Sequence, residues 1–170
     1  MLPTSSVLQD PSRLAVLARL GVLDSPREEV FDRLTRLAAR TLHVPIALIS
    51  IVDGERQFFK SQVGLPEPWA SRRETPLSHS FCRHVVEARA PLVVEDARLH
   101  PVLRENLAIR DLRVIAYAGV PLITSYGIEV GTLCAIDTTP RPWLEEEVEM
   151  LKELAAAVVT TIEFRAVARS

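Results

Sequence analysis

Apolar positions in the first part of the chain recur with a helical period before they merge into a continuous run. Asp10 followed by Pro11 predicts the start of a short helix, and Gly21 predicts its end. A capping-box pattern at residues 25–28 predicts a second helix. One face of that helix, spaced by four, three and four residues, is expected to be buried: Val30, Leu34, Leu37 and Thr41.

The period changes after Pro45 to one that is typical of strands. Residues 46–52 form an apolar run rich in β-branched side chains, which predicts a central strand. Asp53-Gly54 predicts a tight hairpin turn. We therefore expect residues 56–63 to form an antiparallel partner strand.

Turn-forming residues interrupt the middle of the chain. A loop is expected over residues 64–77, and Ser78 is expected to cap a short helix that carries Phe81. An irregular segment with one helical turn is expected over residues 96–111. Three strands are predicted around this segment: residues 91–95, 114–123 and 128–136.

The last predicted element is a long helix that begins near Pro142 and carries two apolar stripes. The first stripe has heptad spacing: Leu144, Val148, Leu151, Ala155, Val158 and Ile162. The second follows at similar spacing: Met150, Leu154, Ala157, Thr161 and Phe164. Two stripes allow one to pack on the sheet and the other on a second chain, whereas the alternative is one wide stripe that faces the core. We expect a homodimer whose interface uses the terminal helices: Leu14, Leu17, Leu144, Val148, Leu151, Val158 and Ile162.

These elements predict an α+β fold with one central antiparallel sheet of about five to six strands. The terminal helices are expected to lie together on one face of the sheet. The short helix and the long irregular segment are expected to cover the other face.

Composition and charge exclude several classes of protein. The 170 residues carry a formal net charge of −2, without the basic stripe that nucleic-acid binding requires. Two distant cysteines and no signal peptide favour a reduced, cytoplasmic protein. No apolar stretch of about 20 residues is present, so we expect no membrane partner.

Eight phrases along the chain, in this order and spacing, resemble the GAF domain found at the front of bacterial sensor kinases, diguanylate cyclases and phosphatases. They are LGVLDSP (20–26), FDRLTRLA (31–38), VPIALISIVD (44–53), QFFKS (57–61), SFCRH (80–84), VEDA (94–97), YAGVPL (117–122) and GTLCAID (131–137). The resemblance runs from about Arg13 to the final helix. It implies one domain over residues 1–170, with a core at about 13–140 and a signalling helix at about 142–168.

The resemblance also implies a cavity for a small ligand between the sheet and residues 78–111. Aromatic side chains would supply its walls and a few polar groups would orient the ligand. The candidate lining residues are Phe59, Ser78, Phe81, Cys82, Asp96, Arg113 and Tyr117. His79 and Cys82 are expected to share one helix face at this cavity. The ligand is not identified by the sequence, and the terminal helices would pass its signal to a kinase, cyclase or phosphatase domain.

The cysteines and histidines could instead attach a chromophore, bind a metal or catalyse a thiol reaction. Bilin-binding GAF domains attach their chromophore at a cysteine followed directly by histidine, but here Arg83 separates Cys82 from His84. The histidines show no metal-binding spacing, so no metal site is predicted, and the sequence does not identify a cofactor. The leading hypothesis is a non-catalytic sensory module. The alternatives are a thiol-dependent reductase of free methionine sulfoxide that uses Cys82 and Cys134, and a pure dimerisation module.

Overall fold

The structure, a computed structural model, describes residues 7–169 and shows an α+β fold. Six helices and six strands follow one another in the order α1 (Pro11–Leu20), α2 (Glu29–Leu42), β1 (Ile46–Val52), β2 (Arg56–Val63), α3 (Trp69–Arg72), β3 (Glu74–Pro76), α4 (Cys82–Ala88), β4 (Leu92–Val94), α5 (Ala108–Asp111), β5 (Ala116–Ile123), β6 (Glu129–Asp137) and α6 (Glu145–Ala168). Three short 3-10 turns lie at Leu77–His79, Ala97–Leu99 and Leu103–Glu105.

All six strands form one antiparallel sheet in the order β3-β2-β1-β6-β5-β4. The predicted sheet is confirmed, with β1 and β6 at its centre. Both strands are covered on their two faces, which explains their nearly continuous apolar sequences. The loop predicted over residues 64–77 is wrong in part, because it contains α3 and the edge strand β3. A three-residue strand that ends in Pro76 is too short to show an alternating pattern.

Two apolar clusters lie on opposite faces of the sheet. The first is formed by α1, α2 and α6 packed on β1, β5 and β6. The second lies beneath α4 and the segment from Ala97 to Leu112. The predicted arrangement of terminal helices on one face and the short helix with the irregular segment on the other is therefore confirmed.

The buried face of α2 differs from the predicted one by one position. Val30 and Leu37 are each 47% exposed, whereas Phe31 and Thr35 are fully buried. Both sets have the same helical spacing, so periodicity alone could not separate them. Phe31 decides the orientation because it has the largest apolar side chain on the helix, and the Thr35 hydroxyl donates to Ser61 Oγ at 2.7 Å.

Two predicted helix caps are also wrong. Ser25 Oγ donates to the Val22 carbonyl oxygen and accepts from Lys60 Nζ, so it binds the core rather than the first turn of α2. Ser78 lies in the 3-10 turn, and Ser80 Oγ instead accepts from the Arg83 amide at 3.0 Å. Neither predicted serine therefore caps its helix: Ser25 bonds Val22 and Lys60 instead, and Ser80 takes the role expected of Ser78.

Arg13 of α1 is 1% exposed and ties the N-terminal part of the chain to the sheet. Its guanidinium donates to the carbonyl oxygens of four residues: Val7, Leu8, Val52 and Glu129. Burial lowers the pKa of Arg13, although Glu129, Asp53 and Asp10 oppose that effect. Because carbonyls from β1, β6 and the N-terminal segment all accept from one side chain, α1 is fixed against both central strands.

The heptad stripe of α6 packs on its own sheet. Leu151, Ala155, Val158 and Ile162 are at most 4% exposed, and Leu17 of α1 is 1% exposed in the same cluster. Leu14 and Val148 pack partly against it, and Leu144 is 55% exposed at the start of the helix. The prediction that Leu17, Leu151, Val158 and Ile162 contact another chain is therefore wrong, because their own domain buries them.

Candidate functional site

A cluster of five polar side chains lies on the sheet face beneath α4. We call it the hydroxyl–thiol cluster: Ser50, Cys82, Tyr117, Thr132 and Cys134. Every member is at most 2% exposed. Ser50 and Thr132 are directly opposite each other on β1 and β6, and Cys134 follows two positions later on the same face. The sheet register therefore brings residues that are distant in sequence to one point.

Tyr117 connects the two cysteines of this cluster. Its hydroxyl donates to Cys82 Sγ at 3.3 Å. Its ring lies over Gly119, where a methyl group would overlap the hydroxyl, and Gly119 is directly opposite Cys134 in the sheet. Cys134 lies in the same buried cluster as Tyr117 and Cys82. A glycine at position 119 thus makes room for the tyrosine hydroxyl beside Cys82, at the strand position opposite Cys134.

The surrounding donors control the protonation of Cys82. Burial alone would raise the pKa of its thiol, but the nearby side chains of Cys134, Thr132, Tyr117 and Ser50, each able to donate to a thiolate, lower the pKa below its usual value. Burial raises the pKa of Cys134 and of Tyr117 well above their usual values. One thiol of the pair is therefore the acidic one, and it lies at the first position of α4.

Two hydroxyls of the cluster have no hydrogen-bond partner. Ser50 Oγ and Thr132 Oγ1 are fully buried and make no hydrogen bond to any of residues 7–169. An unpaired buried hydroxyl costs about 1–3 kcal/mol, so proteins seldom retain one without a water, a ligand or a chemical use. These two side chains are the strongest structural sign of a site on this face.

Apolar side chains surround the hydroxyl–thiol cluster. The Phe81 and Tyr117 rings pack with centroids 5.2 Å apart, and Phe59 is buried in the same apolar cluster. Phe59, Phe81, Cys82 and Tyr117 thus share one buried apolar cluster. Whether they bind a ligand stays a prediction.

Three other predicted lining residues do not join this cluster. Ser78 is exposed and lies beside His79 Nδ1 at 3.0 Å. The Asp96 carboxylate caps the following 3-10 turn and pairs with Arg98 at 2.8 Å. Arg113 is exposed at a backbone φ of 59°. Their predicted placement beside the other lining residues is wrong, because Ser78 and Arg113 are exposed and the Asp96 carboxylate is held by its own turn and by Arg98.

His79 also turns away from Cys82, against the prediction that they share a helix face. Its Nε2 lies 2.7 Å from Asp111 Oδ2, and its ring packs on Trp69. The 3-10 turn at Leu77–His79 precedes α4, so the helical spacing of the two residues does not apply. His79 instead links α5 to the start of α4.

The cover of the site consists of α4 and residues 97–112, and a buried hydrogen-bond network holds it in place. Gln57 Nε2 donates to Thr75 Oγ1 and the His79 carbonyl oxygen, and Ser80 Oγ donates to Gln57 Oε1 at 2.8 Å. Asn106 Nδ2 donates to the Ser80 carbonyl oxygen at 3.0 Å. Polar side chains on β2 and in the irregular segment therefore anchor the loop that leads into α4.

Sequence reasoning missed Ser50, Thr132 and Gln57. Ser50 is the single polar residue in the apolar run 46–52, and Thr132 interrupts the apolar strand 129–137. Those interruptions were a usable signal, since a polar residue in a strand buried on both faces requires a partner. Gln57 gave no comparable signal because it lies on a strand that is polar at several positions.

A protein-family profile and a characterised protein both match this chain. The GAF domain profile matches residues 26–162. The chain belongs to the GAF domain family. It is 39% identical over 153 residues to a cyclic di-GMP phosphodiesterase from Pseudomonas aeruginosa, a match that covers 89% of this chain and 25% of that protein. The chain thus spans about a quarter of the length of this relative.

Solved structures show the same GAF fold. The GAF domain of an Acinetobacter phosphoenolpyruvate-protein phosphotransferase has a TM-score of 0.68 at 19% identity, covering 94% of this chain and 98% of that one. A type II free methionine-R-sulfoxide reductase from Thermoplasma acidophilum has a TM-score of 0.65 at 14% identity, covering 79% and 90%. At such identities the likeness establishes the fold alone.

A second surface of this GAF domain lies on the opposite face, where α2 and α6 meet. Phe164 is 73% exposed and Val167 is 72% exposed on the outer stripe of α6. Together with Val30, Phe164 lines a groove of about 600 Å³. Among residues 7–169, no helix combines the length and apolar character needed to cross a bilayer.

Proposed function

We propose that this GAF domain is a non-catalytic sensory module that binds a small ligand over the hydroxyl–thiol cluster and passes the signal through paired terminal helices. The observation that carries the proposal is the pair of unpaired, fully buried hydroxyls of Ser50 and Thr132. A ligand with a hydrogen-bonding group would satisfy both hydroxyls, and the aromatic walls would bury its apolar part.

The cover of this site is made of short elements, which supports a ligand-dependent change. Residues 97–111 hold only 3-10 turns and the one-turn helix α5. Side-chain hydrogen bonds from Gln57, Ser80 and Asn106 fix its contact with α4. Such segments open at lower free energy than the central strands of a sheet. Ligand binding would therefore shift the population between two packings of the cover.

The outer stripe of α6 is the surface that fits a second copy of the chain. Met150, Phe164 and Val167 are exposed, and the stripe continues to the end of the helix. A two-fold pair of α6 helices would bury these side chains against each other. The proposed interface is thus the outer stripe instead of the heptad stripe, and the predicted homodimer is kept as a proposal.

The output of the signal would be an attached or associated catalytic domain. The sequence resemblance implies a kinase, a cyclase or a phosphatase. The 39% identical relative is a cyclic di-GMP phosphodiesterase of about four times the length matched here, which supports adding a phosphodiesterase to these partners. A pair of α6 helices is suited to control such a domain because α6 is the last element of the described chain and would carry a change in pairing towards its C-terminal end.

Native mass spectrometry of freshly purified protein, together with its absorption spectrum, tests ligand binding. We expect a mass excess over the apo chain, and we expect the double variant Ser50→Ala, Thr132→Val to lose it because the polar anchors are gone. The matched control is Ser125→Ala, which removes an exposed hydroxyl from the turn between β5 and β6. Wild-type protein at apo mass that no tested metabolite stabilises would contradict the proposal and leave the pure dimerisation module.

The same preparation separates binding from the reductase alternative. Wild-type protein and Cys82→Ser are incubated with free methionine sulfoxide and a thiol reductant, and methionine is quantified. A sensory module yields no methionine above background. Turnover by the wild type that Cys82→Ser abolishes would overturn the non-catalytic reading.

A further inference from the structure

Both cysteines of the chain lie in one buried cluster, and the ligand-binding proposal gives them no role. Cys82 and Cys134 are free thiols, and both are buried. They come from α4 and β6, so the sequence alone does not bring them together. Their shared neighbour Tyr117 donates to Cys82 and lies over the residue that pairs with Cys134.

The surroundings of Cys82 suit a nucleophilic thiolate. Its sulfur lies in the buried apolar cluster beneath α4, beside the hydroxyl of Tyr117. Tyr117 donates to the sulfur at 3.3 Å. The unpaired hydroxyls of Ser50 and Thr132 offer two more donors beside it. A neutral thiol requires none of these donors, whereas a thiolate is stabilised by each of them.

We propose that Cys82 and Cys134 form a peroxide-oxidisable dithiol within this domain, with Cys82 as the nucleophile and Cys134 as the resolving thiol. The Cys82 thiolate attacks one oxygen of hydrogen peroxide, the O–O bond breaks, and the leaving hydroxide takes a proton to become water. Cys82 is then a sulfenic acid. The Cys134 sulfur attacks the Cys82 sulfur, an S–S bond forms, and the S–O bond breaks. The Cys134 proton leaves with the hydroxide as a second water.

The balance is two thiols and one peroxide giving one disulfide and two waters. The two electrons lost by the sulfurs reduce the O–O bond. Hydrogen peroxide is close to water in size, and the Ser50 and Thr132 hydroxyls can hydrogen-bond both of its oxygens. The disulfide would join the start of α4 to the middle of β6, which holds the cover of the site closed.

The test uses the reduced wild-type protein without denaturant. It is treated with hydrogen peroxide, unfolded in an alkylating agent, and analysed by intact mass and non-reducing peptide mapping. We expect a loss of two hydrogens, no alkylation, and one cross-linked peptide pair that contains Cys82 and Cys134. Thiols that stay alkylatable, disulfides only between chains, or a cross-link that forms only after unfolding in urea would each overturn the proposal.

Single variants separate the two roles. Cys134→Ser should stop at the sulfenic acid of Cys82, which dimedone traps, whereas Cys82→Ser should leave Cys134 unoxidised at the same peroxide concentration. The reverse pattern would overturn the assignment of the nucleophile. Because no ligand is added and the wild-type mass carries the main result, this outcome is independent of whether the ligand proposal holds.

Tyr117 is a positioning residue in this scheme. Tyr117→Phe should slow oxidation about tenfold, as expected for one lost hydrogen bond to a charged group, and should move the midpoint of the pH–rate profile upward. Tyr126→Phe is the matched control, since Tyr126 is the other tyrosine and is 85% exposed. An unchanged pH profile in Tyr117→Phe would contradict the role of its hydroxyl.

Discussion

At the scale of single residues, one carboxylate supplies the counter-charge of a buried lysine. Glu28 Oε2 accepts from Lys60 Nζ and from Arg165 Nε, each at 2.5 Å, and Lys60 is fully buried. Glu28→Gln leaves the ammonium without its counter-charge. We expect a loss of about 2 kcal/mol in the free energy of unfolding, measured by urea denaturation at pH 7.

The neighbouring Glu29→Gln is the control for this change. Glu29 pairs with Arg36 on the surface, where solvent screens the charges, so its loss should cost much less stability than the loss of Glu28. Equal effects in the two variants would contradict the importance of the buried pair.

The same carboxylate gives a pH dependence with a defined sign. Partial burial raises the pKa of Glu28, but hydrogen bonds from Lys60 and Arg165 outweigh burial and hold it below its ordinary value of 4.5. Its contribution is complete above pH 4.5 and is lost as the pH falls through the lowered folded-state pKa. The difference in the free energy of unfolding between the wild type and Glu28→Gln should therefore disappear in acid. Parallel stability curves for the two proteins down to pH 2 would refute this.

At the scale of elements, the two stripes of α6 have separate consequences. Leu151 belongs to the stripe that faces the sheet and is fully buried, whereas Leu154 belongs to the outer stripe and is only partly buried. Leu151→Ala should cost about 2–5 kcal/mol in the free energy of unfolding of the monomer, because it opens a cavity against the sheet. Leu154→Ala should cost less than half as much. Denaturation at low protein concentration measures both, and a larger loss from Leu154→Ala would reverse the assignment of the stripes.

The pairing of β1 with β6 depends on a missing side chain. A methyl group at Gly131 would overlap the Ser50 carbonyl oxygen and press on Ile51. Gly131→Ala should therefore destabilise the domain by about 3 kcal/mol or prevent its folding. Gly54→Ala is the control, since a methyl there meets only the exposed side chain of Gln9. Circular dichroism during thermal unfolding compares them, and equal melting temperatures would contradict the overlap.

At the scale of the whole molecule, the outer stripe of α6 should control association. Phe164→Glu places a charge at the centre of the proposed interface, so the variant should sediment as a monomer at concentrations where the wild type is a dimer. Leu99→Glu is the control, because it introduces the same charge at a side chain that is 80% exposed in the segment covering the opposite face of the sheet. A wild type that sediments as a monomer, or a dimeric Phe164→Glu, would refute this interface.

The sequence predicted the sheet better than it predicted the site. Strands β1, β5 and β6 were found because apolar runs between turn signals depend on local sequence. The buried face of α2 was missed because two sets of positions had the same period, and only the contact of Phe31 with the sheet separates them. The unpaired hydroxyl of Ser50 and the contact of Cys82 with Cys134 depend on register between strands that are distant in sequence, which no local pattern contains.

The position of β6 between β1 and β5 has a consequence for synthesis of the chain. The middle strand of the sheet is made last, so β1 leaves the ribosome long before its inner neighbour exists. Until then its inner edge is a row of open amide and carbonyl groups within an apolar sequence, which is a template for aggregation. Any truncation or pause before Glu129 should therefore yield an aggregation-prone fragment in which one edge of Ile46–Val52 is unpaired.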